Sequence, residues 1–411
     1  MPADALKCKE CSSSYPLEAR YVCDRCFGPL EVSYSAPEQD AAELKRRIQT
    51  GPHTLWRYAD FLPIDAPPKS SLPTGWTPLM RADRLAERLG LQEVWVKNET
   101  SNPTHSFKDR VVSVALARSL ELGFDTFACA STGNLANAVA AHAAAAGLTS
   151  YVFIPADLEE AKILATGAYG ANVIGVRGNY DDVNRLCMEV SADHPWAFVN
   201  VNVRPYYAEG SKTLAFEIAE QLAWEIPDRI IAPIASGSLF TKLARGFEQW
   251  VDAGLLEAKT PIMNGAQAEG CSPVAQAFAA GTDVCRPVKP NTIAKSLAIG
   301  NPADGPYAVE LARATGGSVD AVTDDEIRAG IKLLAETTGV FTETAGGVTT
   351  AVLAKLAARG DIDPSERVVL CITGDGLKTI DCARGTFEVH EIDPSVDAFE
   401  TEMGSELQAA A

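Results

Sequence analysis

The sequence predicts an α/β protein whose parallel sheets carry helices on both faces. From about residue 91 onward, short strands alternate with helical segments, and each strand is apolar along its whole length. Uniformly apolar strands are typical of parallel sheets that are buried on both sides. The chain has 411 residues, which is too long for one ordinary core, so we expect two or three domains.

The N-terminal residues 1–35 stand apart because four cysteines occur there in two matched pairs. Cys8 and Cys11 form one CxxC pair, and Cys23 and Cys26 form the second after an 11-residue spacer. Two such pairs can place four thiolates around Zn²⁺. We favour a structural zinc ribbon, with unmetallated thiols as the alternative. A redox pair is disfavoured because no βαβ pattern surrounds it.

The later elements follow in order along the chain. Residues 38–50 predict a short helix, and the proline-rich stretch 62–79 predicts an extended surface crossing. Apolar runs predict strands, and helical spacing predicts the helices between them. The strands are expected at 93–99, 126–131, 150–155, 172–178, 197–201, 229–235 and 367–373, and the helices at 107–123, 134–147, 158–167, 180–190, 211–222 and 239–250.

Composition and charge exclude several classes of protein. Hydrophobic residues make up 46% of the chain, which is enough to bury a sizeable core and excludes wholesale disorder. The formal net charge of −18 disfavours nucleic acid and anionic membranes as partners. The first residues show no apolar signal segment, and no stretch approaches the roughly 18 apolar residues of a membrane helix. We therefore expect a soluble, cytoplasmic protein.

Lys108 lies in the first turn of the helix predicted at 107–123. Ser106 and Asp109 fit the Ser/Thr-x-x-Asp/Glu capping pattern, so the helix should begin at Phe107 or Lys108. The positive end of the helix dipole and the neighbouring aromatic ring disfavour a cation there and favour the neutral amine. A neutral amine is a nucleophile for carbonyl groups. A solvated lysine without a chemical role is the alternative.

Three further loops follow apolar strands, and ligands of open parallel sheets bind at such strand ends. Hydroxyl groups, amides and free N–H groups in these loops could hold a carboxylate, a phosphate or one ring atom. Each loop could also be a capped turn without a ligand. The candidate residues are Ser131, Thr132 and Asn134 in 130–137, Ser236, Gly237 and Ser238 in 233–242, and Thr373 in 371–379.

The order of these motifs resembles that of fold-type II pyridoxal phosphate (PLP) enzymes: a lysine in NPTHSFKDR, then STGN, a small-residue phosphate loop and a hydroxyl before a late glycine. The cysteine pairs and the segments EGSKTLAFEIAEQL, AIGNPADGPYA and TGDGLK make the chain similar to the threonine synthase family within that group. The resemblance implies two open, parallel-rich α/β domains with PLP between them. The implied divisions are a zinc ribbon at 1–35, a large domain at 36–115 and 213–390, a small mobile domain at 116–212 and a tail at 391–411.

The resemblance also implies a role for each candidate residue. Lys108 would bond to the aldehyde of PLP and then act as the amine base that moves protons between substrate carbons. Arg204 and Lys212 would hold the substrate phosphate, although solvated cations are the alternative for both. The other implied contacts are Asn134 to the 3-hydroxyl oxygen of PLP, Ser131 and Thr132 to the substrate carboxylate, the backbone of Ser236, Gly237, Ser238 and Leu239 to the PLP phosphate, and Thr373 to the pyridine nitrogen.

The implied reaction converts O-phospho-L-homoserine and water to L-threonine and phosphate by β,γ-elimination and replacement. The chain departs from the family pattern at His105, at Val111, and in the segment VRPYYAEG, where the family arginine is displaced to Arg204. A serine/threonine dehydratase or a β-replacement enzyme such as cysteate synthase is the alternative on the same fold. A zinc-ribbon binding module is the alternative from another class. We expect a homodimer, the commonest assembly of soluble enzymes.

Overall fold

The computed structural model describes residues 1–37, 39–131, 133–158 and 160–410. Within these residues the strands form three sheets. The strands are β1 Ala3–Cys8, β2 Ser14–Tyr15, β3 Leu30–Tyr34, β4 Leu79–Arg81, β5 Glu93–Asn98, β6 Thr126–Ala130, β7 Thr149–Pro155, β8 Asn172–Val176, β9 Ala197–Phe198, β10 Arg229–Pro233, β11 Ile262–Ala268, β12 Val319–Val322 and β13 Arg367–Ile372.

Helices separate most of these strands. In the described part of the chain, no helix is both long enough and apolar enough to cross a membrane. Short 3-10 helices lie at Leu55–Phe61, Glu99–Ser101, Lys295–Leu297 and Gly376–Ala383. The α-helices are α1 Ala41–Thr50, α2 Asp83–Leu89, α3 Lys108–Glu121, α4 Asn134–Ala146, α5 Glu160–Gly167, α6 Tyr180–Asp193, α7 Arg204–Glu209, α8 Lys212–Gln221, α9 Ser238–Asp252, α10 Pro273–Ala279, α11 Gly305–Ala314, α12 Asp324–Thr338, α13 Thr344–Arg359 and α14 Val396–Ala410.

The large sheet has the strand order β12-β11-β10-β13-β5-β4. Its neighbouring strands run parallel, except that β4 is antiparallel to β5 at the edge. Every residue of β10 is buried, and five of the six residues of β13 are buried. Burial on both faces explains why these strands are apolar throughout. The predicted α/β class with parallel sheets is therefore confirmed.

The small sheet has the order β8-β7-β6-β9, and its neighbouring strands all run parallel. Its strands lie within the range 116–212, and the strands of the large sheet lie within 36–115 and 213–390. The domain boundaries themselves stay a prediction. Both sheets direct the carboxyl ends of their parallel strands toward loops that open helices, which is where ligands bind in such folds.

The N-terminal strands form a three-stranded antiparallel sheet in the order β2-β1-β3. We call residues 1–35 the ribbon. Leu6, Leu30 and Val32 of the ribbon belong to the same hydrophobic core as residues of both larger sheets. The ribbon is thus packed onto the body of the protein. The stretch after it contains a 3-10 helix that sequence patterns did not predict. The predicted surface crossing at 62–79 is only partly met: residues 62–78 form neither helix nor strand, but the exposed part is limited to about 64–73, because Leu62, Thr74 and Thr77 are buried and β4 begins at Leu79.

Candidate active site

Lys108 is the first residue of α3, as predicted, and the loop before it is joined to the end of β13. The Phe107 N–H donates to the Thr373 carbonyl oxygen at 2.9 Å, and Ser106 forms a β-bridge with Gly374. One residue further on, the Asp375 N–H donates to the His105 carbonyl oxygen at 3.1 Å. These backbone contacts hold Lys108 and Thr373 at the same end of the large sheet.

The predicted capping box at this helix is wrong. The Asp109 carboxylate accepts hydrogen bonds from the Thr104 N–H at 2.8 Å and the Thr104 hydroxyl at 2.9 Å, and it lies 3.0 Å from His142 Nε2. Because this buried carboxylate finds donors in the preceding turn and on α4, it does not reach back to Ser106. The Lys108 N–H instead donates to the Ser106 hydroxyl at 3.3 Å.

The half-buried side chain of Lys108 points toward α7. Its Nζ donates to the Tyr207 hydroxyl at 3.1 Å and lies 5.5 Å from the centre of the Phe107 ring. Tyr207 is not among the site residues that the sequence patterns predict. A signal existed, because Tyr207 follows Arg204 by three positions on one helix and residues at that spacing share a face.

Asn134 is the first residue of α4 and is buried. Its Nδ2 donates to Glu343 Oε1 at 2.7 Å, and Glu343 immediately precedes α13. Asn134 Oδ1 and Glu343 Oε2 are buried and have no hydrogen-bond partner among the described residues. An unpartnered buried polar atom costs about 1–3 kcal/mol, so these two atoms indicate a polar ligand beside α4. No local sequence pattern indicated that Glu343 would be a residue of this site.

The loop before Asn134 depends on Ser131 and Gly133. The Ser131 hydroxyl oxygen accepts hydrogen bonds from the Gly133 N–H at 3.0 Å and the Ala136 N–H at 2.8 Å, which leaves the hydroxyl hydrogen to donate. Gly133 has a φ of 125°, and a Cβ there would lie 2.2 Å from Lys162 Cδ. Only glycine fits this position. The predicted site residue Thr132 lies outside the described residues.

The turn between β10 and α9 contains the predicted phosphate-binding residues. Gly237 has a φ of 96°, and a Cβ there would lie 2.7 Å from the Asp304 carbonyl oxygen. The Asp304 N–H donates to the Ser236 carbonyl oxygen at 2.8 Å, which fixes the turn from the other side. The N–H groups of the first turn of α9, beginning at Ser238, have no partner within the helix and favour an anion.

Two adjoining cavities lie where these loops meet, and we call them together the cleft. They share Lys108, Asn134 and Tyr207, so loops from both sheets contribute to one space. The larger cavity has a volume of about 530 Å³. The predicted residues that line the cleft are Lys108, Ser131, Asn134, Arg204, Ser236, Gly237, Ser238, Leu239 and Thr373.

Arg204 and Lys212, the two residues predicted to hold the substrate phosphate, lie in different parts of the structure. Arg204 lines the larger cavity, and its Nη2 donates to Asp304 Oδ2 at 2.6 Å. Lys212 lies outside the cleft, and its side chain is 1% exposed, with Nζ 2.5 Å from Glu209 Oε2 and 2.7 Å from Gln249 Oε1. These partners occupy its ammonium group, so its position gives no support to a substrate contact. His105 is exposed and also lies outside the cleft.

The four ribbon cysteines converge, with all Sγ atoms within 4.8 Å of one another. The Sγ atoms of Cys8 and Cys26 are 3.4 Å apart, and those of Cys11 and Cys23 are 3.6 Å apart. A disulfide would need about 2.05 Å. Four sulfurs around a tetrahedral ion with bonds of about 2.3 Å lie roughly 3.8 Å apart. The donor set therefore fits a zinc ion.

The fold and the cleft define a class of protein: an α/β enzyme in which a lysine and the N-terminus of a helix line the same cleft. The model of the family described as pyridoxal-phosphate dependent enzyme matches residues 70–374. The chain belongs to this family.

Individual relatives carry a more specific name. Threonine synthase of Methanocaldococcus jannaschii is 38% identical over 381 residues, which cover 92% of this chain and 93% of the relative. Threonine synthase of Methanosarcina acetivorans is 38% identical over 378 residues, which cover 91% and 92%. The resemblance seen in the sequence is confirmed.

Solved structures of lower identity share the fold. Diaminopropionate ammonia lyase from Escherichia coli superposes with a TM-score of 0.64 at 20% identity, covering 85% of this chain and 93% of that one. Maize serine racemase superposes with a TM-score of 0.61 at 20% identity, covering 91% and 100%. At this level of identity the likeness describes the fold alone.

Proposed function

We propose that this chain is a threonine synthase, which converts O-phospho-L-homoserine and water to L-threonine and phosphate. One observation carries the proposal: threonine synthases that are 38% identical match more than nine-tenths of this chain and of their own length. The cleft supports it, since it combines a lysine, an anion-binding turn and a nearby arginine. A dehydratase or a β-replacement enzyme on the same fold is the alternative.

Bound PLP supplies an electron sink for the carbons next to the substrate amino group. Lys108 would hold the cofactor through its amine, and the same amine would move protons at the α and β carbons of the substrate. The Tyr207 hydroxyl, 3.1 Å from Nζ, orients that amine. Asn134, whose Oδ1 lacks a partner among the described residues, would hydrogen-bond with the 3-hydroxyl group of the cofactor.

The remaining residues of the cleft orient the two ligands. Backbone N–H groups of the segment 236–239, at the start of α9, would hold the cofactor phosphate. The Thr373 hydroxyl would be the partner of the pyridine nitrogen, and a neutral partner there would leave that nitrogen unprotonated and weaken the electron sink. Ser131, which keeps a hydrogen to donate, holds the substrate carboxylate together with Thr132.

Lys108→Ala tests the core of the proposal. We expect wild-type protein to be coloured by its cofactor and to release phosphate from O-phospho-L-homoserine with equal formation of threonine. Lys108→Ala should lose the activity and the visible absorbance of the bound cofactor. The control is Lys332→Ala. Lys332 is an exposed lysine of α12 whose Nζ lies 3.7 Å from Glu336 Oε1, and its substitution should change neither the activity nor the absorbance. Ketoacid formed from serine or threonine, without threonine from the phosphorylated substrate, would favour the alternative.

Arg204 is the candidate for the substrate phosphate. A phosphate offers Arg204 a stronger partner than a single carboxylate, so the substrate would displace Asp304 from it. Arg204→Gln should therefore raise KM for O-phospho-L-homoserine by at least about tenfold, while cofactor absorbance stays unchanged. An unchanged KM would remove Arg204 from the substrate site.

The ribbon cysteines hold a structural Zn²⁺ in this proposal, because their thiolates have the number and the spacing that zinc prefers. Metal analysis should find one zinc per chain, and Cys11→Ala should lose it. Zinc-free protein with four titratable thiols would contradict this part without affecting the enzyme assignment. Assembly as a homodimer and residence in the cytoplasm stay predictions.

A further inference from the structure

A group of buried polar contacts joins the ribbon to α7 and α9. On β3, the Tyr34 hydroxyl donates to Glu209 Oε2 at 2.5 Å. Lys242 of α9 donates from Nζ to Glu31 Oε2 at 3.0 Å and to Glu209 Oε1 at 2.7 Å. Together with Lys212, whose Nζ lies 2.5 Å from Glu209 Oε2, these residues form what we call the bridging cluster.

Glu209 is the centre of the bridging cluster, because it contacts every other member except Glu31. Its side chain is 1% exposed and takes two lysines and one tyrosine as partners. A carboxylate removed from water is expensive unless such partners compensate it. The position of Glu209 is therefore fixed relative to both the ribbon and α9.

Glu209 ends α7, and α7 also carries Tyr207 and Arg204, which line the cleft. The helix spans six residues, so a shift of Glu209 also moves Tyr207, the partner of Lys108. The next residue, Gly210, packs directly on α3, where an added Cβ would lie 2.5 Å from the Arg110 carbonyl oxygen. The spacing between α7 and α3 thus has little freedom.

A second set of contacts reaches the phosphate-binding turn from the first cysteine pair. The Lys9 ammonium lies 3.3 Å from the centre of the Tyr307 ring, and the Tyr307 hydroxyl donates to the Glu10 carboxylate. Tyr307 lies in the first turn of α11, just after Asp304. The backbone of Asp304 contacts Ser236, and its carboxylate holds Arg204. Besides its contacts with α7 and α9, the ribbon is therefore linked through Tyr307 and Asp304 to the turn before α9.

We propose that Glu209 is a positioning residue, which joins the ribbon to α7 and so holds the Tyr207 hydroxyl against the Lys108 amine. The ribbon is then part of the framework of the active site and not an independent binding module. This inference uses the family assignment of Lys108 but does not depend on which substrate the enzyme takes.

Tyr34→Phe is the principal test, because it removes one hydroxyl from the ribbon side and leaves all charges in place. The variant should lower kcat by about fivefold with KM within about twofold. It should also shift the pH midpoint of the bound cofactor's visible absorbance by at least about 0.3 pH units, in the same direction as Tyr207→Phe. In the double variant the two effects should not add, because both act through the same contact.

Tyr58→Phe is the matched control. Like the half-buried Tyr34, the fully buried Tyr58 donates to a carboxylate, Glu220 Oε2 at 2.8 Å, but it has no contact with α7 among its hydrogen bonds in the described structure. It should lower the melting temperature and leave the absorbance midpoint unchanged. If Tyr34→Phe behaves like this control, or if its effect and that of Tyr207→Phe simply add, the proposal is overturned.

Glu209→Gln provides a stronger perturbation, since it leaves Lys212 and Lys242 with an amide in place of a shared carboxylate. If folded, it should shift the absorbance midpoint further than Tyr34→Phe does, and a wild-type midpoint would contradict the proposal. Should it fail to fold, Tyr34→Phe alone decides. If the wild-type protein does not convert O-phospho-L-homoserine, the proposed function fails, and the absorbance measurements still test the positioning role.

Discussion

Two clusters of buried charge support the cleft, and they differ in how completely they are enclosed. The inner cluster consists of Lys97, Glu99, Arg110 and Glu217, whose side chains are all 0% exposed. The bridging cluster has a member at the surface, because the Glu31 side chain is 37% exposed. The inner cluster joins β5, α3 and α8, whereas the bridging cluster joins the body of the protein to the ribbon.

The pKa values of the cations show which of them each cluster keeps charged. In the inner cluster, burial acts against the charge of Arg110, but Glu217 and Glu99 outweigh it and raise the pKa of the guanidinium. In the bridging cluster, burial outweighs the attraction of Glu209 and lowers the pKa of Lys212 to about 8, since Lys242 shares the same carboxylate. Burial likewise lowers the pKa of Lys97 in the inner cluster, whereas Glu209 and Glu31 outweigh burial and raise the pKa of Lys242 in the bridging cluster. Each cluster therefore holds one cation that stays charged, Arg110 or Lys242, and one lysine that gives up its proton more easily.

The largest effect should come from breaking the inner cluster. Arg110→Met leaves two buried carboxylates with Lys97 as their remaining cation in the cluster, so the free energy of unfolding should fall by about 3–5 kcal/mol. Urea unfolding measures this. The control Arg46→Met removes an exposed ion pair with Glu43, at 2.7 Å, and should cost under about 0.5 kcal/mol. A loss as small as that of the control would show that burial does not determine how much this cluster contributes to the free energy of unfolding.

Acid should weaken both clusters over the same pH range. Burial raises the pKa values of Glu209 and Glu217, but their cationic neighbours outweigh it and lower both to about 2. Because these values lie below the unfolded value of 4.5, the stabilisation is present above pH 4.5 and is lost as the pH falls toward 2. Each carboxylate should account for about 3 kcal/mol.

Glu209→Gln separates the two contributions. Its free energy of unfolding should fall less steeply between pH 4.5 and 2 than that of the wild-type protein, because Glu217 of the inner cluster still titrates there but residue 209 no longer does. Parallel curves for the two proteins would assign the acid sensitivity to other carboxylates.

The smallest effect should come from Lys212→Met, which should cost about 1–2 kcal/mol at pH 7, since Glu209 keeps Lys242 and Tyr34. Between pH 8 and 10.5 the unfolded chain binds a proton that folded Lys212 has lost. The contribution of Lys212 to stability therefore rises with pH across this window. The variant should lack that rise, whereas Lys332→Met should retain it. An identical pH dependence in Lys212→Met and wild type would refute the role of this lysine.

Local patterns were sufficient to predict most of the strands and helices that form the cleft. The strand expected at 93–99 is β5, the strand expected at 126–131 is β6, and α3 begins at Lys108. These elements could be predicted because an apolar run or a helical spacing is a property of neighbouring residues. The strand β4 was missed, since three residues at a sheet edge carry too little pattern.

The contacts that could not be predicted join distant parts of the chain. Glu343 is 209 positions from its partner Asn134. The Asp109 carboxylate contacts His142 on another helix, whereas the sequence pattern paired it with Ser106. Lys212 has the sequence context of an ordinary first-turn cation, and its burial depends on residues of the ribbon and α9. Such partners are determined by packing, which no local pattern contains.

The backbone bridge between the Lys108 loop and the end of β13 has a consequence for motion. Since Phe107 and Ser106 are bonded to Thr373 and Gly374, the lysine and the threonine belong to one stiff wall. Asn134 is bonded to the same wall, because it donates to Glu343 and the Glu343 N–H donates to the Gly374 carbonyl oxygen at 3.0 Å. Ser131, which follows β6 of the small sheet, has no such bond to Thr373 or Gly374 among the hydrogen bonds of the described residues. If the width of the cleft changes, the distance from Ser131 to Lys108 should therefore change while the separation of Lys108 from Thr373 stays constant.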